Sequence, residues 1–308
     1  MRYFLLTLIF SCSITIISYA QQTEPVLNFI ALGDAPYGDP AKVHKPYLSL
    51  IQNINQANPP LVVHIGDTHN HYTCEDALID QLRGYMNRFL APVLYTPGDN
   101  EWTDCKKTEV GNFDPIERLS YIRATHFQNS MTLGQRPIPV ENQAKDGFPE
   151  NARLILNNIG FVTVHVVGSN NNFNPKDLTA VKEFMARNEA NIKWLSESFI
   201  AFKDVDAIVV ALHADMYNPI SGFRKGWWPQ SPFRDIGVIL GKRSSVLKKP
   251  VLLLYGDSHE HKVFQPFPEK RPYLHAIEVF GYPDIKAIEI AVRPTAEHPF
   301  SVTRVFEP

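Results

Sequence analysis

The sequence predicts an α/β protein, because strand-like and helical segments alternate along most of the chain. Five apolar runs rich in β-branched residues end in glycine or in a polar cluster, at 26–34, 60–67, 92–99, 206–215 and 250–257. Continuous runs of this kind are typical of strands that are buried on both faces. Near the C-terminus, three strand-like runs follow one another without a helix between them. The sheet system is therefore expected to finish with antiparallel strands.

Helical patterns lie between several of these runs and predict helices packed on a sheet. They cover 42–55, 74–90, 178–202 and 233–249. Asn157 and Asn158 separate two β-like runs and predict a hairpin. The polar segment 168–175 is interpreted as turns, although its asparagines could also face a site. We find no repeat, low-complexity segment or linker, so residues 21–308 are expected to form one domain.

The overall composition describes an ordinary globular protein. The chain has 308 residues, a formal net charge of −2 and 20% charged residues. That length is sufficient for a sizeable core. Since the charge is nearly balanced, there is no electrostatic argument for a nucleic-acid partner.

The first twenty residues resemble a secretory signal peptide. Arg2 supplies the basic start, an apolar run extends from Phe4 to Ile17, and cleavage is expected after Ala20. The alternative is an uncleaved membrane anchor, but the run is short compared with the roughly 20 apolar residues that a bilayer requires. A lipoprotein attached through Cys12 is disfavoured, because the residues before this cysteine include the bulky Phe10 where a small residue is usual. We therefore predict a secreted or periplasmic protein without a membrane span after cleavage.

Two cysteines remain after cleavage, Cys74 and Cys105. An exported protein with two cysteines most simply forms one disulfide, and two unpaired thiols are the alternative. Each cysteine follows a loop that carries candidate site residues, so a bridge would tie these loops together.

Carboxylates and imidazoles recur where the predicted strands end. Open α/β sheets collect functional groups at the carboxyl ends of their strands, so these side chains are expected to meet. Any one of them alone is more simply a turn, a helix cap or a structural histidine. Together they have the composition of a site for Zn, Mn or Fe. The carboxylates and imidazoles are Asp34, Asp67, Asp99, Glu101, His213, His259 and His261, and the amide of Asn100 lies between two of them in the sequence.

This ordered series resembles the signature of the calcineurin-like metallophosphoesterases, a family related to purple acid phosphatases. The resemblance runs from about residue 26 to residue 265. It implies a four-layer α-β-β-α sandwich of two mixed sheets flanked by helices, with two metal ions. It further implies that the first metal is held by Asp34, Asp67 and His261. The second would be held by Asp67 as a bridge together with Asp99, His213 and His259.

The sequence departs from the family pattern at ligand positions of the two metal sites and at the position of the general acid. Pro36 stands where the family has a ligand or glycine, so Tyr37 or His69 would have to complete the first site. The tyrosine ligand of purple acid phosphatases corresponds to Asn70, which disfavours a ferric-tyrosinate centre. Asp99 replaces an asparagine ligand and adds negative charge.

Asn100 replaces the family histidine that is often assigned to protonate the leaving group. An amide cannot act as a general acid at neutral pH. Glu101, His69 and His71 are the candidates for that role, unless the leaving group departs unaided. Asn100 itself is predicted to hydrogen-bond the substrate or the attacking water.

Substrate contacts are predicted in a Gly/Pro-rich loop after His213. Arg224 and Lys225 would bind phosphate, and Trp227 and Trp228 would contact the organic part of the substrate, unless the segment is simply a packed surface loop. Five other histidines match no ligand position and are interpreted as structural: His44, His126, His165, His275 and His298.

The predicted function is an exported hydrolase of a small-molecule phosphate ester that uses a water activated between two divalent or trivalent metal ions, with Mn, Zn and Fe as candidates. One alternative is a catalytically impaired protein of the same fold that binds a phosphorylated ligand or an envelope partner. A second is a metal-dependent hydrolase of another ester or of an amide. The substrate, the metal identity and the oligomeric state do not follow from the sequence.

Overall fold

A computed structural model describes residues 24–69, 73–216 and 231–308 of the chain. Several sequence predictions lie outside these residues and stay predictions. They are the signal segment 1–20 with Cys12, the residues Asn70 and His71, and the proposed substrate contacts Arg224, Lys225, Trp227 and Trp228.

The described part of the chain contains twelve strands and five helices longer than two turns. The strands are β1 (Leu27–Leu32), β2 (Val62–His64), β3 (Val93–Tyr95), β4 (Glu141–Gln143), β5 (Phe148–Leu156), β6 (Ile159–Thr163), β7 (Ala207–Ala211), β8 (Val251–Tyr255), β9 (Lys262–Phe264), β10 (Leu274–Glu278), β11 (Ala287–Val292) and β12 (Phe300–Phe306). The helices are α1 (Pro40–Ala57), α2 (Asp76–Met86), α3 (Pro115–His126), α4 (Leu178–Ala201) and α5 (Arg234–Leu247). None of these described helices is both long enough and apolar enough to span a bilayer.

The strands form two mixed sheets. The first has the order β12-β11-β1-β2-β3, and the second has the order β4-β5-β6-β7-β8-β10-β9. Strands β1, β2 and β3 are parallel to one another, as are β6, β7, β8 and β10. The remaining pairs are antiparallel. Each sheet therefore has a parallel centre that delivers strand ends to one edge.

Alternate residues of the central strands face opposite layers. In β1, the Phe29 ring lies 5.1 Å from the Phe161 ring of the other sheet, whereas Ile30 packs beneath α1 and α2. In β7, Val209 faces the first sheet and Val210 faces α4 and α5. Because both faces are covered, every position of β7 is apolar. The α-β-β-α sandwich expected from the sequence is confirmed.

Most predicted elements are present, with two differences, namely the pairing of the first of the last three strands and the additional helix α3. The hairpin at Asn157 and Asn158 forms with left-handed φ values of 48° and 61°, as a two-residue turn requires. The expected antiparallel finish is confirmed for the last two of the three predicted strands but not for the first of them. Strand β10 pairs in parallel with β8 in the second sheet, whereas β11 and β12 complete the first sheet in antiparallel pairing.

Helix α3 was not expected from apolar periodicity. Its buried side chains include Arg118 and His126, which interrupt the apolar stripe. A start signal is nevertheless present in the sequence. Asp114 caps the helix by accepting a hydrogen bond from the Ile116 amide at 2.8 Å, and Pro115 occupies the first helical turn.

Candidate metal centre

The carboxyl ends of β1, β2 and β3 in one sheet meet those of β7 and β8 in the other. A contact between the sheets marks this junction: the ring nitrogen Nδ1 of His213 lies 2.9 Å from the carbonyl oxygen of Ile65. Because the Nδ1–H group of His213 donates to this carbonyl oxygen, the Nε2 atom faces the neighbouring carboxylates. The two sheets therefore deliver their functional side chains to one shared place.

Three residues form a first group of potential ligands, namely Asp34, Asp67 and His259. Their ligand atoms all lie within 4.8 Å of one another. The Nε2 atom of His259 is 3.4 Å from Oδ1 of Asp34. The other ring nitrogen, Nδ1, lies 3.0 Å from the carbonyl oxygen of Tyr282, which orients the imidazole toward the carboxylates.

A second group consists of Asp67, Asp99 and His213, which are buried and again have ligand atoms within 4.8 Å of one another. The Nε2 atom of His213 lies 3.3 Å from Oδ1 of Asp67 and 2.9 Å from Oδ1 of Asp99. It is also 3.8 Å from Oδ1 of Asp257, a residue that sequence reasoning did not select. Asp67 belongs to both groups and thus lies between them.

Several of these residues have a left-handed backbone, which residues other than glycine seldom adopt. The φ values are 48° at Asp34, 52° at Asp67, 77° at Asp257 and 62° at His259. Each such conformation costs on the order of 1 kcal/mol or more, and it persists where the surrounding structure enforces it. Strain of this kind is concentrated at functional sites, in agreement with the convergence of the side chains.

The side chains present fit metal ions. Among the described residues, Oδ2 of Asp34 is a buried ligand atom without a hydrogen-bond partner. Oδ1 of Asp99 and Nε2 of His213 are also buried, and they are satisfied only through their contact with one another at 2.9 Å and the 3.3 Å contact of Nε2 with Asp67. Unsatisfied buried polar atoms are costly unless something else binds them. Carboxylates and imidazoles in this mixture are suitable ligands for Mn, Zn and Fe. A pair of cations would satisfy these atoms.

The pKa shifts of the side chains in the site also fit bound cations. Burial raises the pKa of Asp67 well above its usual range, and the charge of Asp99 adds to the rise while His213 opposes it. Burial and the charge of Asp99 also raise the pKa of Asp257 to about 7. Burial by itself would lower the pKa of His213, but Asp67 and Asp99 raise it well above its usual range. Without cations, the crowded carboxylates thus favour bound protons.

The placement of the last histidine pair differs from the predicted one. His259 lies with Asp34 in the first group and not in the second, and His261 is in neither group. The Nδ1 atom of His261 is 2.6 Å from the carbonyl oxygen of Glu278, and its ring stacks on Phe280 at 4.3 Å. The reason is local, because residues 257 and 259 turn toward the site through their left-handed backbone, whereas 261 leads directly into β9.

Glu101, a predicted catalytic residue, instead joins the ends of β2 and β3. Its Oε1 atom accepts hydrogen bonds from the amide and the hydroxyl of Thr68 at 2.6 and 2.7 Å. Its Oε2 atom accepts from the amides of Gly98 and Asp67 at 2.8 and 3.1 Å. Burial would raise the pKa of Glu101, but His69 and these hydrogen bonds outweigh it and lower the pKa. A carboxylate held in this way supports Asp67 and is poorly suited to donate a proton.

Asn100 and Tyr37 lie beside Asp67. The amide nitrogen Nδ2 of Asn100 donates to Oδ2 of Asp67 at 2.9 Å. The Tyr37 ring meets the His259 ring edge-on at 4.7 Å, and its hydroxyl shares a hydrogen bond with the Asn100 side chain. Burial and the charge of Asp67 raise the pKa of Tyr37, so the hydroxyl retains its proton. His69, the other candidate for an extra contact, is buried beside Glu101.

The predicted disulfide is present. The sulfur atoms of Cys74 and Cys105 are 1.99 Å apart. They lie 3.7 and 3.4 Å from the carbonyl oxygen of Asn100, so the bridge is in contact with the loop that carries Asp99 and Asn100. It ties this loop to the segment that follows β2, as expected from the sequence.

Comparisons with known proteins agree with this architecture. The family model for calcineurin-like phosphoesterases matches residues 37–263. No curated protein matches the chain. A solved dimetal phosphatase from Danio rerio is similar in fold, with a TM-score of 0.57, 10% sequence identity, and 91% of this chain and 99% of that chain covered.

A second solved structure, described as GAP50, the anchor in the inner membrane complex of Plasmodium, has a TM-score of 0.51 and 14% identity. It covers 91% of this chain and 88% of its own. At these identities, the two structures show the fold alone. The family model spans well over half of the sequence, and on that ground the chain belongs to the calcineurin-like phosphoesterase family.

Proposed function

We propose that this protein is an exported, metal-dependent phosphoesterase that hydrolyses a small-molecule phosphate ester with a water activated between two metal ions. The observation that carries the proposal is the position of Asp67, whose carboxylate belongs to both ligand groups. A shared carboxylate can hold two cations close together and offset their mutual repulsion. Membership of the calcineurin-like phosphoesterase family supports the same reading.

The proposed ligands follow the structure rather than the sequence pattern. Asp34, Asp67 and His259 would hold the first ion. The second would be held by Asp67, Asp99 and His213, with Asp257 in the place predicted for His259. When bound, two ions of the Mn, Zn or Fe type supply a water of lowered pKa and neutralise charge on the phosphoryl oxygens.

The other side chains of the site would orient the reactants. Asn100 holds the shared carboxylate of Asp67 through its amide, and the hydroxyl of Tyr37 is available to a phosphoryl oxygen. Arg224 and Lys225 stay predicted phosphate contacts. Because Asn100 and Glu101 provide no proton for the leaving group, we expect the enzyme to favour esters with good leaving groups, such as aryl phosphates.

Export is supported by two features. The first twenty residues have the pattern of a cleavable signal, and the mature chain contains a buried disulfide. Disulfides persist in oxidising compartments, so a periplasmic or secreted location is proposed.

The test combines metal analysis with a substrate panel. We expect close to two transition-metal ions per chain in the purified protein, and hydrolysis of 4-nitrophenyl phosphate or of its diester. Chelation should abolish the activity and added Mn²⁺ should restore it. Hydrolysis of 4-nitrophenyl acetate but not of the phosphates would instead support the second alternative, an esterase.

One observation favours a binding protein on the same scaffold. The position that the family uses for an acid is the amide of Asn100, and Glu101 is occupied by four hydrogen bonds. On this alternative, the protein would bind a phosphorylated ligand or an envelope partner without turnover. Binding of inorganic phosphate by a metal-loaded protein that hydrolyses none of the test esters would support it.

The reassignment of the last ligand predicts opposite outcomes for two substitutions. Asp257→Ala is expected to reduce the metal content toward one ion per chain and to lower kcat/KM at least about 100-fold, because one ion contributes several kcal/mol of charge stabilisation. His261→Ala is the matched control and should retain two ions. Loss of metal in His261→Ala, with Asp257→Ala unaffected, would restore the assignment predicted from the sequence.

A further inference from the structure

Next to the second ligand group, the backbone makes an unusual turn. Residues Ser169 to Asn172 are left-handed in succession, with φ values of 46°, 58°, 53° and 58°. We call residues 168–172 the left-handed turn. A left-handed residue other than glycine costs roughly 1–2 kcal/mol, and asparagine tolerates it best. Four in succession require support from the surrounding structure.

That support comes from a buried ion pair on α4. The guanidinium of Arg187 is fully buried and donates to Oδ1 of Asn171 at 2.5 Å and to its carbonyl oxygen at 3.0 Å. The same guanidinium pairs with Glu183, at 2.6 Å between Nε and Oε1. Glu183 in turn accepts a hydrogen bond from Nδ2 of Asn172 at 2.8 Å. The charge of Arg187 is thus matched, and the C-terminal end of the turn is held at two successive residues.

The left-handed turn is in close contact with the metal ligands. A Cβ atom at Gly168 would lie 2.4 Å from Oδ1 of Asp257 and 2.8 Å from Oδ1 of Asp99, so only glycine fits there. At the next position, the hydroxyl of Ser169 lies 2.8 Å from Oδ2 of Asp99. The other oxygen of Asp99, Oδ1, is the one that faces His213. Ser169 therefore holds the oxygen that points away from the second site.

The same hydroxyl also lies 2.6 Å from Oδ1 of Asp104. A hydroxyl has one proton and can donate to only one of the two carboxylates at a time. Asp104 has a separate partner in Lys107, whose Nζ atom is 2.5 Å from its Oδ2. Since Lys107 already balances the charge of Asp104, the proton of Ser169 is available to Asp99.

We propose that the left-handed turn is a positioning device for the second metal site, in which Ser169 orients Asp99 and Arg187 holds the turn in place. This inference rests on the proposed function, because it concerns one of the two proposed metals. A hydrogen bond to the non-ligating oxygen fixes the rotation of the carboxylate, so that Oδ1 stays aimed at the ion. Partners of this kind typically change metal affinity by about 10–100-fold.

Ser169→Gly isolates the hydroxyl, because glycine adopts left-handed backbone without strain. We expect this variant to bind the second equivalent of Mn²⁺ about 10–100-fold more weakly and the first equivalent as tightly as the wild type. Hydrolysis of 4-nitrophenyl phosphate should fall at limiting Mn²⁺ and recover at excess Mn²⁺. Free Mn²⁺ counted by its electron paramagnetic resonance signal during a titration gives the two affinities.

Asn170→Gly is the matched control. It removes the exposed side chain of Asn170, whose hydrogen bond goes to the carbonyl oxygen of Phe173 at 2.6 Å and not to a ligand. Because it leaves the Ser169 hydroxyl and the contacts of Arg187 with Asn171 in place, both Mn²⁺ affinities should equal those of the wild type. Melting temperatures of the metal-free variants show whether either change has disturbed the fold.

The outcomes separate this inference from the proposed function. Two unchanged Mn²⁺ affinities in Ser169→Gly, or an equal weakening of both, would overturn the positioning role while leaving a two-metal phosphoesterase intact. A wild-type protein that binds no Mn²⁺ and hydrolyses no phosphate ester would overturn both.

Discussion

Asp67→Asn is expected to remove the activity almost entirely, with kcat/KM at least about 1,000-fold lower, because the one carboxylate that serves both ligand groups loses its charge. Metal content should fall from two ions per chain to one or none. Asparagine has the same shape and tolerates the left-handed φ of 52° at this position. The Asn100 amide, which now donates to Oδ2 of Asp67, can flip so that its oxygen accepts from the new NH₂ group, and the effect then reports mainly on charge.

The same substitution, Asp67→Asn, should raise the stability of the metal-free protein even though it removes the activity. The pKa of Asp67 is raised by burial, so its ionised form is disfavoured in the folded state relative to the unfolded one. Stability is therefore lost as the pH rises above the unfolded value of 3.8. Without metal at pH 7, Asp67→Asn should unfold at a higher urea concentration than the wild type.

Asp177→Asn serves as the control for this experiment. Asp177 caps α4 by accepting hydrogen bonds from the amides of Thr179 and Ala180, far in the sequence from the ligand loops, and asparagine caps helices about as well. Its activity, metal content and stability should match those of the wild type. An Asp67→Asn protein that keeps two metals and full activity would contradict the proposed centre.

Glu101→Gln should destabilise the fold by about 1–3 kcal/mol, because at least one buried donor loses its acceptor when an oxygen becomes an amide nitrogen. Each oxygen of Glu101 accepts two hydrogen bonds. An NH₂ group in place of Oε2 would face two buried amide donors, and in place of Oε1 it would face the amide of Thr68, while the Thr68 hydroxyl could turn to accept from it. Leaving a buried donor unsatisfied costs roughly 1–3 kcal/mol. Urea unfolding monitored by circular dichroism measures the loss, with the exposed Glu109→Gln as the matched control.

The same variant distinguishes support from acid catalysis. If Glu101 positions Asp67 and Thr68, then Glu101→Gln should lower stability and metal content together. If Glu101 donated a proton to the leaving group, stability and metal content would stay at wild-type values. In that case only kcat would fall, most strongly for substrates with poor leaving groups.

The layers of the fold could be predicted because strands that are buried on both faces appear in the sequence as continuous apolar runs. Val209 and Val210 face different layers, yet both are apolar, and the resulting run is recognisable without coordinates. Helix α3 has no continuous apolar stripe, because Arg118 and His126 are among its buried residues. Its start, at Asp114 and Pro115, was the signal available.

Part of the candidate centre was also determined by the sequence itself. The parallel strands of a sheet end at one edge, so residues that directly follow them, such as Asp34, Asp67 and Asp99, had to be near one another. The resemblance to the calcineurin-like family then supplied their order. The disulfide between Cys74 and Cys105 was expected on a different ground, since two cysteines in a chain predicted to be exported most simply pair with each other.

Tertiary structure alone decided which side chains of the loops face the centre. Asp257 turns toward His213 and His261 turns away because of local φ values that a spacing rule does not contain. Ser169 reaches Asp99 from a run of four left-handed residues, and Arg187 of another element is bonded to one of them, Asn171. Strand ends are positioned by the regular geometry of sheets, which sequence periodicity encodes. The direction of a loop side chain depends on contacts between residues that are distant in the chain, and those exist only once the fold has formed.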